Sequence, residues 1–126
     1  HLAGKVVAVQ DDSTGSYIID GNDEMRNSLK EYRKYPDFAA VYMDIDSGRV
    51  EAAVVDDRSC PLTMQQNPGK YRILEENLGD EVVAVAFRKD DKDYAPLIDK
   101  ALDEMKKDGT AKKISEQWFN ADLTNY

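Results

Sequence analysis

Short apolar runs alternate along the chain with segments whose apolar residues recur at helical spacing. Residues 6–9 (VVAV) and 50–55 (VEAAVV) are almost continuously apolar, which is typical of strands buried on both faces of a parallel sheet. Residues 28–32, 71–74 and 82–87 are three further predicted strands. The pattern therefore predicts an α/β fold with a mostly parallel sheet flanked by helices.

Helix signals follow the early strands. Residues 11–16 form a polar turn with several N-cap candidates, and the apolar residues 17–19 after it indicate a short helix. Residues 20–23 (DGND) are typical of a loop. Pro36 suits the first position of the next helix, and Gly48 suits the position just after its end.

Two amphipathic helices are predicted near the end of the chain. Asp93 begins the first of them, and Gly109 ends it. Thr110 is expected to cap the second, in which Trp118 and Phe119 are expected to act as packing anchors. These helices complete the predicted layer around the sheet.

Composition narrows the function classes. The 126 residues have the size of one domain, and their 17 basic and 25 acidic residues give a net charge of −8. This acidity disfavours binding to nucleic acids and to anionic membranes. One cysteine (Cys60) and one histidine (His1) can form neither an internal disulfide nor a zinc cluster. We therefore expect no metal and no cofactor.

Three stretches, taken in order, carry a resemblance to a known family. They are residues 4–14 (GKVVAVQDDST), 47–56 (SGRVEAAVVD) and 86–119, which runs from AFRKDD through MKKDGT to WF. Together they resemble the bacterial extracellular solute-binding proteins of polar amino-acid ABC transporters. The resemblance implies a type II periplasmic-binding-protein fold, an amino acid as ligand and an ABC permease as partner. It also implies an extracytoplasmic location, either periplasmic or lipid-anchored. An extracellular sensor domain of a receptor or histidine kinase, which has the same fold, is the alternative.

The resemblance further implies that the chain is one part of a two-lobed fold. Residues 3–80 would form lobe two, the ligand-binding half. Residues 81–126 would be the returning hinge strand and the C-terminal helices, which normally pack on lobe one. Exposed apolar surface costs about 25 cal/mol per Å². We therefore expect the chain to cover this surface by association, for example as a domain-swapped homodimer.

The site residues follow from the same resemblance. A zwitterion needs hydroxyl or amide donors for its carboxylate and a fixed carboxylate for its ammonium. Ser13 and Thr14 match the carboxylate-binding positions of the family, and Asp56 matches the ammonium-binding position. Gln10 and Val55 would border the ligand. The alternatives are a plain N-cap for Ser13 and Thr14, and a solvated strand-end residue for Asp56.

Asp12 departs from the family pattern, which has glycine there. Its carboxylate would repel that of the ligand, and glycine is favoured where φ is positive, although aspartate tolerates that conformation. Asp12 therefore points away, alters the ligand class or marks weak binding. Because the family's main carboxylate-binding arginine lies on lobe one, we expect negligible amino-acid affinity for the chain alone.

Two further alternatives are an enzyme and a purely structural lobe of a larger assembly. Asp56 and Asp57, beside Asp12, could in principle act as general acid and base. The sequence contains no nucleophile–base pair and suggests no substrate for such a reaction. It therefore favours a ligand-binding module over an enzyme.

Overall fold

The chain forms two compact units. The structure, a computed structural model, describes residues 2–124. His1–Asp57 and Ile73–Glu81 make up the first unit, and Arg58–Arg72 and Val82–Tyr126 make up the second. All strands of the described part of the chain belong to the first unit.

A three-stranded parallel sheet is the centre of the first unit. Its strands are β1 (Val6–Gln10), β2 (Glu31–Tyr35) and β3 (Ala52–Val54), arranged in the order β2-β1-β3. Gln10 of β1 pairs with Tyr35, and Val9 pairs with Val54. The carboxyl ends of all three strands therefore lie at one edge, as an α/β fold with a parallel sheet requires.

Helices cover both faces of this sheet. They are α1 (Thr14–Asp20), α2 (Asp23–Ser28) and α3 (Phe38–Asp46). Val6 and Ala8 pack with Val41 of α3 in a buried cluster. Because side chains alternate along a strand, Val7 and Val9 face the opposite side, where α1 contributes the fully buried Ile19. β1 is therefore the buried centre of the unit.

The second unit consists of helices. They are α4 (Cys60–Gln66), α5 (Tyr94–Lys107) and α6 (Thr110–Phe119), and α6 packs against both of the others. The buried Ser115 hydroxyl donates to the Ala121 carbonyl at 2.7 Å and accepts from the Leu123 amide at 2.9 Å. These two hydrogen bonds fix the chain that follows α6.

Two strand predictions were wrong, and the bounds of a third were shifted. Residues 71–74 and 82–87 pair with no strand in the described part of the chain. Val82 is 90% exposed, and Val83 is 66% exposed. An apolar run becomes a strand only where a neighbour satisfies its backbone, and the run itself does not supply one. The second strand begins at Glu31 rather than at residue 28, because α2 extends to Ser28.

Several helix boundaries also differ from the prediction. Residues 20–23 are not all loop, since Asn22 caps α2. Asp37, not Pro36, precedes α3, because its carboxylate accepts a hydrogen bond from the Ala40 amide at 2.8 Å.

The last helix differs in its cap and in its packing. Gly109, with a φ of 82°, is the N-cap of α6, and Thr110 is its first helical residue. The prediction that Trp118 anchors α6 was wrong, since Trp118 is 63% exposed. Gly48 does follow α3 with a φ of 73°, as predicted.

Candidate functional site

The turn between β1 and α1 is held by a reciprocal cap. The Ser13 hydroxyl accepts from the Ser16 amide at 3.1 Å and donates to the Gln10 carbonyl at 2.7 Å. The Ser16 hydroxyl in turn accepts from the Ser13 amide at 3.1 Å. This is a capping box, and it satisfies two backbone donors that the helix leaves unpaired. The N-cap interpretation is therefore confirmed for Ser13, whose hydroxyl shapes the turn.

Asp12 occupies a conformation that favours glycine. Its φ is 52°, and its side chain is exposed. Left-handed backbone is costly for most residues, while aspartate is among the few that adopt it in turns. Asp12 therefore adopts the left-handed conformation that the turn after β1 requires.

The first turn of α1 lies on the end of β3. A β-carbon added at Gly15 would come within 2.8 Å of the Val54 Cγ1. Real β-carbons do not approach a neighbouring atom so closely, which means that the backbone of α1 contacts the Val54 side chain directly. Asp56, which is partly buried, follows Val54 by two residues. Thr14 directly precedes Gly15, and Asp56 lies two residues after Val54, so each is close in sequence to one partner of this contact.

Thr14 has a side-chain partner that sequence reasoning missed. Its hydroxyl donates to the Glu81 carboxylate, with 2.5 Å between Oγ1 and Oε1. The two residues are 67 positions apart, and no motif or periodicity links them. Gly79, just before, lies beside Ile18 of α1. The residues that lead to Glu81 therefore run along α1 towards Thr14.

Lys34 forms ion pairs with two aspartates, one in the turn after β1 and one at the end of α1. The Lys34 ammonium lies 2.7 Å from an Asp20 carboxylate oxygen and 3.2 Å from one of Asp11. Hydrogen bonds to Asp20 and then to Asp11 raise the pKa of Lys34 above its ordinary value. Lys34 also lies 5.8 Å from the centre of the Tyr32 ring, and burial raises the pKa of that phenol. The positive charge beside the turn is therefore permanent at neutral pH.

Residues 2–124 contain neither a candidate metal site nor a membrane-spanning helix, and they include a cleft that lies away from the predicted site residues. Within that range, no group of three or more His, Cys, Asp or Glu side chains is placed to hold a metal ion. None of the helices described there is long and apolar enough to cross a membrane. A cleft in the first unit lies near the amino ends of the strands, and the predicted site residues do not line it; its walls are Leu2, Ala3, Asn22, Glu24, Met25, Ser28, Glu76 and Leu78.

Comparison with known sequences establishes the family. The sequence model of the bacterial extracellular solute-binding proteins, family 3, matches residues 1–121. The chain belongs to this family, which confirms the resemblance carried by its three motif stretches. Members of the family are solute-binding proteins by description.

Individual relatives have amino-acid-binding names. The chain is 32% identical to the probable amino-acid-binding protein YxeM of Bacillus subtilis over 127 residues, which covers 98% of this chain and 47% of that protein. It is 32% identical to the L-cystine-binding protein TcyJ of Escherichia coli over 94 residues, 75% of this chain and 35% of that protein. The chain thus spans about half, or less, of the length of the curated relatives it matches.

Solved structures share the fold. An ancestral arginine-binding protein bound to glutamine is 35% identical and matches 95% of this chain and 52% of its own, with a TM-score of 0.76. The crystal structure of Tv2483 bound to L-arginine is 27% identical and matches 99% of this chain and 51% of its own, with a TM-score of 0.78. The predicted α/β fold of periplasmic-binding-protein type is thereby confirmed.

Proposed function

We propose that the chain is the amino-acid-binding component of an ABC uptake transporter and carries one half of the ligand cleft. The close contact between Gly15 and Val54 is the observation that supports this most directly. It brings the turn that bears Thr14 against the strand that leads to Asp56. The relatives include proteins named as cystine-binding, histidine-binding and arginine-binding. These names agree with a polar amino acid as ligand.

Thr14 and Asp56 have complementary roles in this proposal. The exposed Thr14 donates its hydroxyl and its amide to the ligand carboxylate, while the Ser13 hydroxyl caps α1. Asp56 accepts the ligand ammonium. Side chains two residues apart in an extended chain share a face, and the Val54 side chain meets α1. Asp56 is therefore proposed to lie on the same side of the sheet as Thr14.

Two further residues are proposed to border the ligand because of their positions at the ends of paired strands. Gln10 ends β1, and Val55 follows β3, the strand paired with it. Both therefore belong to the edge at which ligands bind in open α/β sheets. In this proposal they border the ligand without supplying the charges that orient it. The exposed Asp12 adds a negative charge to the same turn.

A second lobe is proposed to complete the site. The chain spans about half the length of its relatives, and the apolar residues from Val82 to Phe87 are exposed. In this account residues 3–80 are lobe two, and residues 81–126 are the returning hinge strand followed by the C-terminal helices, which pack on the other lobe. The ligand bridges the two lobes and stabilises their closure, which a membrane permease then recognises. We propose an extracytoplasmic location and a binding role rather than an enzymatic one.

Calorimetric titration tests the function. We expect the full-length gene product to bind at least one of L-arginine, L-glutamine, L-histidine and L-cystine, and the 126-residue chain alone to bind none at micromolar concentration. Asp56→Asn and Thr14→Val should each weaken binding by about tenfold or more, since each removes a hydrogen bond to a charged group. Asp57→Asn, the same charge change one residue on, is the matched control and should have little effect.

Two results would contradict this proposal. If no amino acid binds to the full-length product, the binding function is wrong. If the 126-residue chain alone binds one of them at micromolar concentration, the half-site interpretation is wrong.

A further inference from the structure

The hydrogen bond between Thr14 and Glu81 places an internal carboxylate on a proposed ligand-binding hydroxyl. The 2.5 Å between Thr14 Oγ1 and Glu81 Oε1 is typical of a hydrogen bond from a hydroxyl to a charged acceptor. Both residues belong to the first compact unit. Glu81 is thus part of the surroundings of Thr14 although no motif of the chain marks it.

The path of the backbone brings Glu81 to this position. Gly79 has a φ of 152°, a conformation that side-chain-bearing residues rarely adopt. A β-carbon there would lie 3.7 Å from the Ile18 Cδ1. The chain therefore passes along α1 at Ile18, one turn beyond Thr14, before it reaches Glu81. The contact follows from this route as well as from the length of the glutamate side chain.

Glu81 and a ligand carboxylate would both accept a hydrogen bond from the Thr14 hydroxyl. A threonine hydroxyl has one hydrogen to donate, so it can serve only one carboxylate at a time. A ligand that binds Thr14 must displace Glu81 and then leave that negative charge nearby. Repulsion between the two carboxylates disfavours a ligand with a neutral side chain. A ligand whose side chain carries a positive charge can offset the repulsion by pairing with the released Glu81.

We propose that Glu81 is a specificity-determining residue, which competes with the ligand for Thr14 and thereby selects amino acids with cationic side chains. This inference rests on the proposed amino-acid-binding function and adds a residue and a ligand class to it. The exposed Asp12 adds a further negative charge to the same turn. Selection by charge follows because both carboxylates repel the ligand carboxylate and attract a cationic side chain.

The test compares two ligands in the full-length gene product. L-Arginine and L-glutamine share the amino-acid end and differ in side-chain charge, so the ratio of their dissociation constants measures selection by charge. Glu81→Gln should tighten L-glutamine binding and reduce the preference for L-arginine by about tenfold. Glu75→Gln, the same change at an exposed position of the same segment, is the control and should leave the ratio unchanged.

The outcomes separate this inference from the function on which it rests. If both ligands bind but Glu81→Gln leaves their ratio within twofold of the wild-type value, or increases the preference for arginine, the role of Glu81 is wrong and the function stands. If neither L-arginine nor L-glutamine binds to any variant while L-histidine or L-cystine does, the role of Glu81 is wrong and the function stands. If none of the four amino acids binds, the proposed function fails, and the role of Glu81 fails with it.

A second measurement needs no ligand. In NMR spectra of the 126-residue chain, Glu81→Gln should shift the amide and methyl signals of Thr14, whereas Glu75→Gln should not. If the Thr14 signals are unchanged by Glu81→Gln, the contact is absent in solution, and the competition is overturned whichever ligand binds.

Discussion

The backbone of Gly15 lies against the side chain of Val54, with no room between them for a β-carbon. Gly15 is the second residue of α1, the helix after β1, and Val54 ends β3. The strands β1 and β3 are paired in parallel. The contact therefore joins the turn that carries Thr14 to the strand that precedes Asp56. If it opens, the two proposed ligand-binding groups are no longer held in one arrangement.

Gly15→Ala should disturb this contact. The added β-carbon would come within 2.8 Å of the Val54 Cγ1, so α1 or β3 must shift. We expect a loss of about 1–3 kcal/mol in the free energy of unfolding, measured by urea denaturation, because overpacking in a close contact has that cost. Asn27→Ala, at an exposed position of α2, should change stability by less than about 0.5 kcal/mol. A Gly15→Ala chain as stable as the wild type would show that the contact is not tight.

Asp12→Gly should stabilise the turn after β1. Asp12 has a φ of 52°, where a side chain is strained and glycine is not. The relief is partly offset by the greater entropy of glycine in the unfolded chain, so we expect a gain of up to about 1 kcal/mol. Asp12→Val should instead destabilise the chain, since a β-branched residue does not tolerate this conformation. Urea denaturation of both variants checks the sign, and a less stable Asp12→Gly chain would contradict the account.

The stability of the chain should fall in acid. The pKa of Glu31 is lowered by Arg33, that of Asp44 by Arg49 and Tyr35, and that of Glu51 by Lys5 and the Val6 amide. A carboxyl group whose pKa is lower in the folded state contributes stability above its unfolded pKa and loses it as pH falls through the folded pKa. The ordinary values are 4.5 for Glu and 3.8 for Asp, so the loss should begin near pH 4.5 and continue below 3.8.

Thermal unfolding between pH 7 and pH 2.5 measures this dependence. Asp44→Asn should flatten the acid limb, because it removes one group whose pKa changes on folding. Asp103→Asn, at an exposed position of α5, should leave the limb unchanged. Equal slopes for the wild type and Asp44→Asn would mean that the ion pair with Arg49 does not contribute.

The 126-residue chain should self-associate. Val82, Val83 and Val85 are all more than half exposed, and so is Trp118 of α6. We propose that a second copy covers this surface when no other lobe is present. Light scattering should report a dimer, and Val83→Glu should shift it to monomer because a charge is costly to bury. Gln65→Glu, an exposed control in α4, should remain dimeric. A wild-type chain that stays monomeric at high concentration would contradict this proposal.

The sequence predicts the centre of the first unit better than its borders. β1 and β3 were predicted from continuous apolar runs; β1 is almost entirely buried, and β3 beside it is partly buried. The run at residues 82–87 is also apolar but has no neighbouring strand among residues 2–124, and periodicity cannot reveal whether a partner exists. The start of α2 was missed because its Asn22 cap lies in a stretch rich in turn residues.

The candidate site also has features that local sequence predicts and features that it does not. The capping role of Ser13 follows from its residue type and its place after a strand, both of which are local. The contact between Thr14 and Glu81 depends on how the chain returns to α1 after 67 residues, and no local pattern contains that information. Asp56 was proposed from the resemblance to the family, and its role stays a prediction.

The central claim is that Thr14 and Asp56 bind opposite ends of one amino acid, and ligand analogues test it most directly. Titration of the full-length gene product with L-arginine and with agmatine, which lacks the carboxylate, should show that Thr14→Val weakens the first about tenfold and the second hardly at all. Asp56→Asn should weaken both, since both retain the amine. If Thr14→Val weakens arginine and agmatine equally, or Asp56→Asn weakens neither, the two residues do not bind the two ends of one ligand.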